Sequence, residues 1–181
     1  MLFSELIRAA ILDRSLYAQV KADTRATARA LGVVGLVALA HGVGGIIRAV
    51  AFERDPLMES FLIGVQGELV FWMVATPAVY LLGRHVLGAS ATYGQVLRPF
   101  GFASVPGLLI LVAALASLLG GGAQVVVFAA PVPWRLATSY VAVRQAFGLG
   151  RAKSALVLLV GVACGLMSVG AGTAMALRVL A

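Results

Sequence analysis

Three ionisable side chains stand inside stretches that otherwise carry almost no charge. His41 interrupts Ala30–Ile47, Glu68 is the one charge in Ser60–Gly83, and Arg135 directly follows the uncharged run Phe100–Trp134. An imidazole, a carboxylate and a guanidinium are the ingredients of a proton relay, an ion path or a substrate site. They also make a structural ion pair. In an apolar setting a lone charge costs about 2.5–3.5 kcal/mol on insertion scales, so such groups need partners. Glu68 lies eight residues into its stretch and Arg135 eleven beyond Gln124, or about 12 Å and about 16 Å along a helix. Those depths differ by roughly one helical turn, which an arginine stem bridges. The expectation is that Glu68 and Arg135 pair, or share a hydrogen-bonded cluster with His41 and Gln66. With one acid, one base and no further acids along a path, a pair that fixes helix register is favoured over a site.

The elements that must position these groups follow from composition. The chain has 181 residues, 61% hydrophobic and only 12% charged, with mean hydropathy +1.02. Soluble domains carry about twice that charge, so lipid is the solvent for most of the chain and a cytosolic catalytic domain is excluded. The formal charge of +7, carried by twelve Arg and two Lys, is read as a topology signal. Nucleic acid is not an expected partner. The single Cys164 supports neither a disulfide framework nor a thiolate metal site, and is expected to be buried packing.

A crossing needs about 20 apolar residues. Spans are expected near residues 30–51, 60–83, 102–119, 123–143 and 154–177, with residues 1–29 as a separate cytoplasmic segment. Gly120, Gly121 and Gly122 divide Phe100–Trp134, whose 35 residues are too many for one crossing. Arg8, Arg14, Lys21, Arg25, Arg29, Arg84, Arg98, Arg144, Arg151 and Lys153 then fall on one side, against Arg48, Arg54 and Arg178 on the other. The bias places the N-terminus in the cytoplasm and the C-terminus outside, as an odd number of spans requires. The fold class is an all-α integral membrane bundle of five helices.

The first thirty residues hold no apolar run of signal-peptide length, so the first span is expected to serve as the anchor. Phe3, Leu6, Ile7 and Ala10 form a stripe at helical spacing, continued by Leu16, Tyr17 and Val20 after the break at Asp13-Arg14-Ser15. The preferred reading is an amphipathic helix on the cytoplasmic leaflet. The alternative packs the same stripe on the inner ends of the spans. Pro131 and Pro133 are expected to break the fourth span. A broken midplane helix can frame a binding site, but a plain kink is favoured. Gly161 and Gly165 make a G-x-x-x-G on the fifth span, and small residues let backbones approach. Packing within one bundle is favoured over a homodimer. No phosphate loop, dinucleotide fingerprint, nucleophile–base pair or metal cluster is present, so neither cofactor nor enzyme activity is expected.

Three stretches carry a resemblance: LYAQVKADTRATARAL at Leu16–Leu31, RPFGFASVPGLLILV at Arg98–Val112, and WRLATSYVAVRQAFGLGRAKSALVLLV at Trp134–Val160. They resemble the Yip-one domain family, five-span membrane proteins of the Golgi and endoplasmic reticulum with bacterial relatives. The resemblance implies the five-span fold and a non-enzymatic role. Eukaryotic relatives bind prenylated Rab GTPases and usually carry a longer cytoplasmic N-terminal region than residues 1–29 here, so that partner is not carried over. The resulting expectation is a bacterial inner-membrane scaffold or accessory subunit that binds membrane proteins or lipids. Its surfaces would be the N-terminal helix and the loops Arg84–Arg98 and Arg144–Lys153. The alternative is a small transporter or channel with its site at His41, Glu68 and Arg135.

Overall fold

The computed structural model describes residues 2–52, 56–118 and 131–180. Every regular element among them is helical. Helix α1 spans Leu2–Ala10, α2 Arg14–Ala22, α3 Ala26–Ala51 and α4 Leu57–Leu81, the last closing in a wide turn at Leu82–Val86. A third apolar rod follows in three pieces: α5 (Tyr93–Phe102), a 3-10 turn (Val105–Leu109) and α6 (Ile110–Ser117). Helix α7 covers Pro131–Phe147 and α8 Arg151–Leu180. Four of these stretches are long and apolar enough to cross a membrane: Ala26–Ala51, Leu57–Val86, Tyr93–Ser117 and Arg151–Gly172.

The third rod begins at Tyr93 rather than near residue 102 for two reasons. Thr92 and Gln95 form a capping box, with the Gln95 side chain accepting from the Thr92 amide at 2.9 Å. Arg98, whose charge marks a loop in the sequence, is instead buried inside α5. The expected fourth span falls partly on residues 119–130, which lie outside the described residues together with the glycine break. Pro131 and Pro133 stand in the first turn of α7, where a missing amide hydrogen leaves no helical carbonyl unpaired. Cys164 is partly exposed on α8, not buried.

Glycines set how closely the rods approach. A methyl on Gly42 would meet Phe61 and Val65, and one on Gly45 the Ser60 backbone, so α3 and α4 run antiparallel with backbones almost touching. Gly161 and Gly165 face Val79 and Phe71, which seats α8 closely against α4. The G-x-x-x-G is therefore used inside the bundle. Gly101 lies on Ala30 and Gly44 beside Ile110 and Ala114, so the Tyr93–Ser117 rod climbs alongside α3 in the same direction. Gly64 is the tightest test of this packing, because its Cβ would strike the backbone of His41 and Gly42. Backbone cannot rotate away as a side chain can. Gly64→Ala is expected to destabilise the bundle by about 1–3 kcal/mol, read as an earlier midpoint in SDS unfolding from mild detergent.

The N-terminal stripe divides between two helices. Leu16, Tyr17 and Val20 of α2 are buried, joining Ala26, Ala30, Phe102, Ala103, Val105, Val141 and Ala142 in one core. In α1, Ala9 is buried while Phe3 and Ile7, with Ile11 just beyond its end, face outward. The α1–α2 hairpin rises along α7: Lys21 Nζ donates to the Gln145 carbonyl at 3.2 Å, and Trp134 Nε1 to the Ala10 carbonyl at 2.7 Å. The Tyr17 hydroxyl donates to the Ala9 carbonyl at 3.0 Å. Terminal carbonyls of α1 that have no helical partner are thus satisfied from α2 and α7.

The hairpin turn is polar. Leu12 takes φ of 60°, the left-handed conformation usual at a helix C-terminus but uncommon for leucine. Asp13 caps α2 by accepting from the Ser15 amide at 2.8 Å and hydroxyl at 2.7 Å, and it accepts from Arg8 Nε at 2.6 Å. The Ser15 hydroxyl and the Arg8 guanidinium hold its carboxyl down to about 2, from the ordinary 3.8. A depressed carboxylate stabilises the fold above its unfolded pKa, and that contribution disappears as pH falls through the folded value. Amide exchange in α1, corrected for intrinsic rates, should therefore accelerate between about pH 4 and about pH 2. Asp13→Asn should flatten that profile.

Candidate functional site

The polar cluster joins α3, α4 and α7. Arg135 donates through both terminal nitrogens to Glu68, Nη1 to Oε2 at 2.8 Å and Nη2 to Oε1 at 2.5 Å. Both carboxylate oxygens are thereby engaged in a fork-to-fork geometry. The Glu68 side chain is only 3% exposed, against 21% for Arg135. The guanidinium also lies over the Phe71 ring, 4.9 Å from its centroid, where the negative ring face supports the cation. Phe71 follows Glu68 by three residues on α4, so it shares the carboxylate's face.

His41 completes the group from α3. Its Nδ1 lies 2.9 Å from the Val37 carbonyl, so this nitrogen carries the hydrogen and donates it. Its Nε2 then faces Glu68 Oε2 at 3.9 Å, beyond hydrogen-bond length. Gly107, in the 3-10 turn, roofs the cluster: a Cβ there would meet Val37, with Arg135 Nη1 and His41 Cε1 each at 3.4 Å. Only a residue without a side chain leaves room for the imidazole and the guanidinium together.

The structure thus brings His41, Glu68 and Arg135 together and leaves Gln66 apart. Gln66 is exposed, with its amide beside Gly172 of α8. Two residues from Glu68, it points to a different side of α4. Phe71 and Gly107 are site residues that the charge pattern did not single out. The i,i+3 relation to Glu68 was a readable signal for Phe71. The role of Gly107 depends on a contact between distant segments.

A second polar node lies near the end of the bundle that carries most of the basic residues. Arg98, 6% exposed, donates from Nε to the Val20 carbonyl at 2.9 Å and from Nη2 to the Lys21 carbonyl, with Nη1 3.5 Å from the Thr27 hydroxyl. These carbonyls belong to the last turn of α2, whose dipole favours a cation there. Arg98 is therefore a cap supplied from another helix and not part of an open loop. The Thr138 hydroxyl of α7 donates to the Ala103 carbonyl at 2.8 Å, tying the same region together. Leu16–Leu31, Arg98–Val112 and Trp134–Val160 consequently meet in one core around Phe102.

Chemically, the cluster joins one acid, one base and one imidazole, with a guanidinium hydrogen bond on each carboxylate oxygen. No family model, curated protein or solved structure matches the chain.

Proposed function

We propose that the chain is a non-catalytic integral membrane protein of the Yip-one type, a scaffold or accessory subunit that binds other membrane proteins and lipids. The observation that carries this reading is the closed Glu68–Arg135 pair. A transport or catalytic carboxylate needs an oxygen available to its ligand, whereas both oxygens of Glu68 are taken by one guanidinium. The pair then serves to lock the register of α4 against α7. The Yip-one part of the reading rests on the three stretches that resemble that family, which meet in one core.

The directions of the helices fit five crossings with the basic end in the cytoplasm of a bacterial inner membrane. Helices α3, α4, the Tyr93–Ser117 rod, α7 and α8 alternate in direction, and α7 supplies the inner part of the fourth span. The partner surface is the broad face of α4 and α8, most of which lies outside the core. Leu156, Leu159, Leu166 and Met167 are exposed on α8, as are Met58, Leu62 and Met73 on α4.

Affinity purification in mild detergent, with a photo-crosslinking residue at Leu159 or at buried Val157, tests the reading. A stoichiometric membrane protein joined through position 159 and not through 157 is the expected result. Recovery alone, with position 159 crosslinked to lipid only, would overturn the scaffold assignment.

A further inference from the structure

From the cleft that follows α4, we infer a binding site for the phosphate-bearing headgroup of an anionic phospholipid. This inference deepens the lipid-binding part of the reading above and rests on it. The wide turn Leu82–Val86 and the residues after it enclose an open cleft of about 440 Å³ lined by Arg84, His85, Gly88, Ala89 and Ser90. Its polar groups are all suited to an oxyanion: a guanidinium, an imidazole and a hydroxyl. No aspartate or glutamate occurs after Glu68, so the second half of the chain offers Arg84 no carboxylate side chain.

The cleft is shaped by the fold. Arg84 spends one donor on the Ala91 carbonyl at 3.3 Å, which steadies the guanidinium. Tyr80 stands edge-on to both His85, at 6.0 Å, and Tyr93, at 5.4 Å, so the imidazole is braced by a ring that Tyr93 holds in turn. Gly88 takes φ of 70°, and the Ala89 amide donates back to the Gly83 carbonyl at 3.0 Å, folding the loop over the helix end. Phe147 packs on Gly83 from α7.

The lipid, and not free phosphate, is favoured by what adjoins the cleft. Val86 is 69% exposed and Leu81 53% exposed at the end of an apolar rod long enough to cross a membrane. A headgroup in the cleft thus has apolar surface next to it for its acyl chains. Basic pockets at the cytoplasmic ends of membrane helices bind anionic headgroups.

Native mass spectrometry of the intact protein from micelles holding equal phosphatidylglycerol and phosphatidylcholine tests the site. Wild type should retain phosphatidylglycerol preferentially. Arg84→Gln with His85→Gln should weaken that preference by about 5- to 30-fold, while Arg25→Gln, at an exposed arginine that does not line the cleft, leaves it intact. Ser90→Glu, which leaves both basic side chains in place, should abolish it. Retention undiminished in the Arg84/His85 and Ser90 variants, or lost equally in the Arg25 variant, would overturn the site and leave general lipid binding standing. Displacement of the lipid by millimolar inorganic phosphate would make free phosphate the ligand and overturn the lipid assignment. No headgroup preference in wild type would overturn the lipid-binding part of the functional reading itself, without touching the protein-partner part.

Discussion

Arg135→Leu, made alone, is expected to cost about 3–5 kcal/mol of stability, because it strands the Glu68 carboxylate in the bundle interior. Replacing both partners, Glu68→Leu with Arg135→Leu, should recover most of that loss or exceed wild type, since desolvating two charges offsets much of their attraction. Arg135→Lys should fall between these. A single ammonium cannot reproduce the two parallel bonds to Oε1 and Oε2, nor the flat contact with Phe71. SDS unfolding of wild type, Glu68→Leu, Arg135→Leu and the double variant, read by tryptophan fluorescence, gives the coupling directly. Additive effects of the two leucine substitutions would show that the pair does not set the register.

Arg98→Met should be nearly as damaging. The methionine fills similar volume but leaves the Val20 and Lys21 carbonyls without their donor, each orphan costing about 1–3 kcal/mol. The loss is directed: α2 should detach from α5 before the rods separate. Proteolysis or hydrogen exchange would therefore show early opening at residues 14–22, with α3, α4 and α8 still protected. Arg98→Lys should rescue only in part, because one ammonium cannot reach all three acceptors in the planar arrangement of the guanidinium. Uniform loosening of the whole bundle would contradict a local capping role.

The two substitutions also mark where the sequence could be read and where it could not. The spacing of Glu68 and Arg135 predicts similar depth from the 1.5 Å rise alone, and the structure places them in one cluster. Depth, however, says nothing about azimuth. That is why Gln66 was grouped with a carboxylate from which it is turned away. The apolar stretches after Ala30, Ser60 and Ser154 are legible because length and hydropathy are local properties. Arg98 reads as a loop residue for the opposite reason: the carbonyls that satisfy its guanidinium are more than seventy positions away. Gly64 and Gly107 are equally silent in sequence, since their value lies in backbones approaching from other segments. The N-terminal stripe was ambiguous because an apolar face fits lipid and protein alike. The hydrogen bonds of Tyr17 and Trp134 to α1 carbonyls dock the hairpin on the bundle.

The central claim is that the buried polar cluster is a closed structural lock and not a transport site. Proton and cation flux into liposomes carrying the purified protein tests it most directly, with Glu68→Gln measured alongside after its fold is checked. The account predicts flux no greater than in protein-free vesicles for both. Flux in wild type that disappears in a folded Glu68→Gln protein would contradict it.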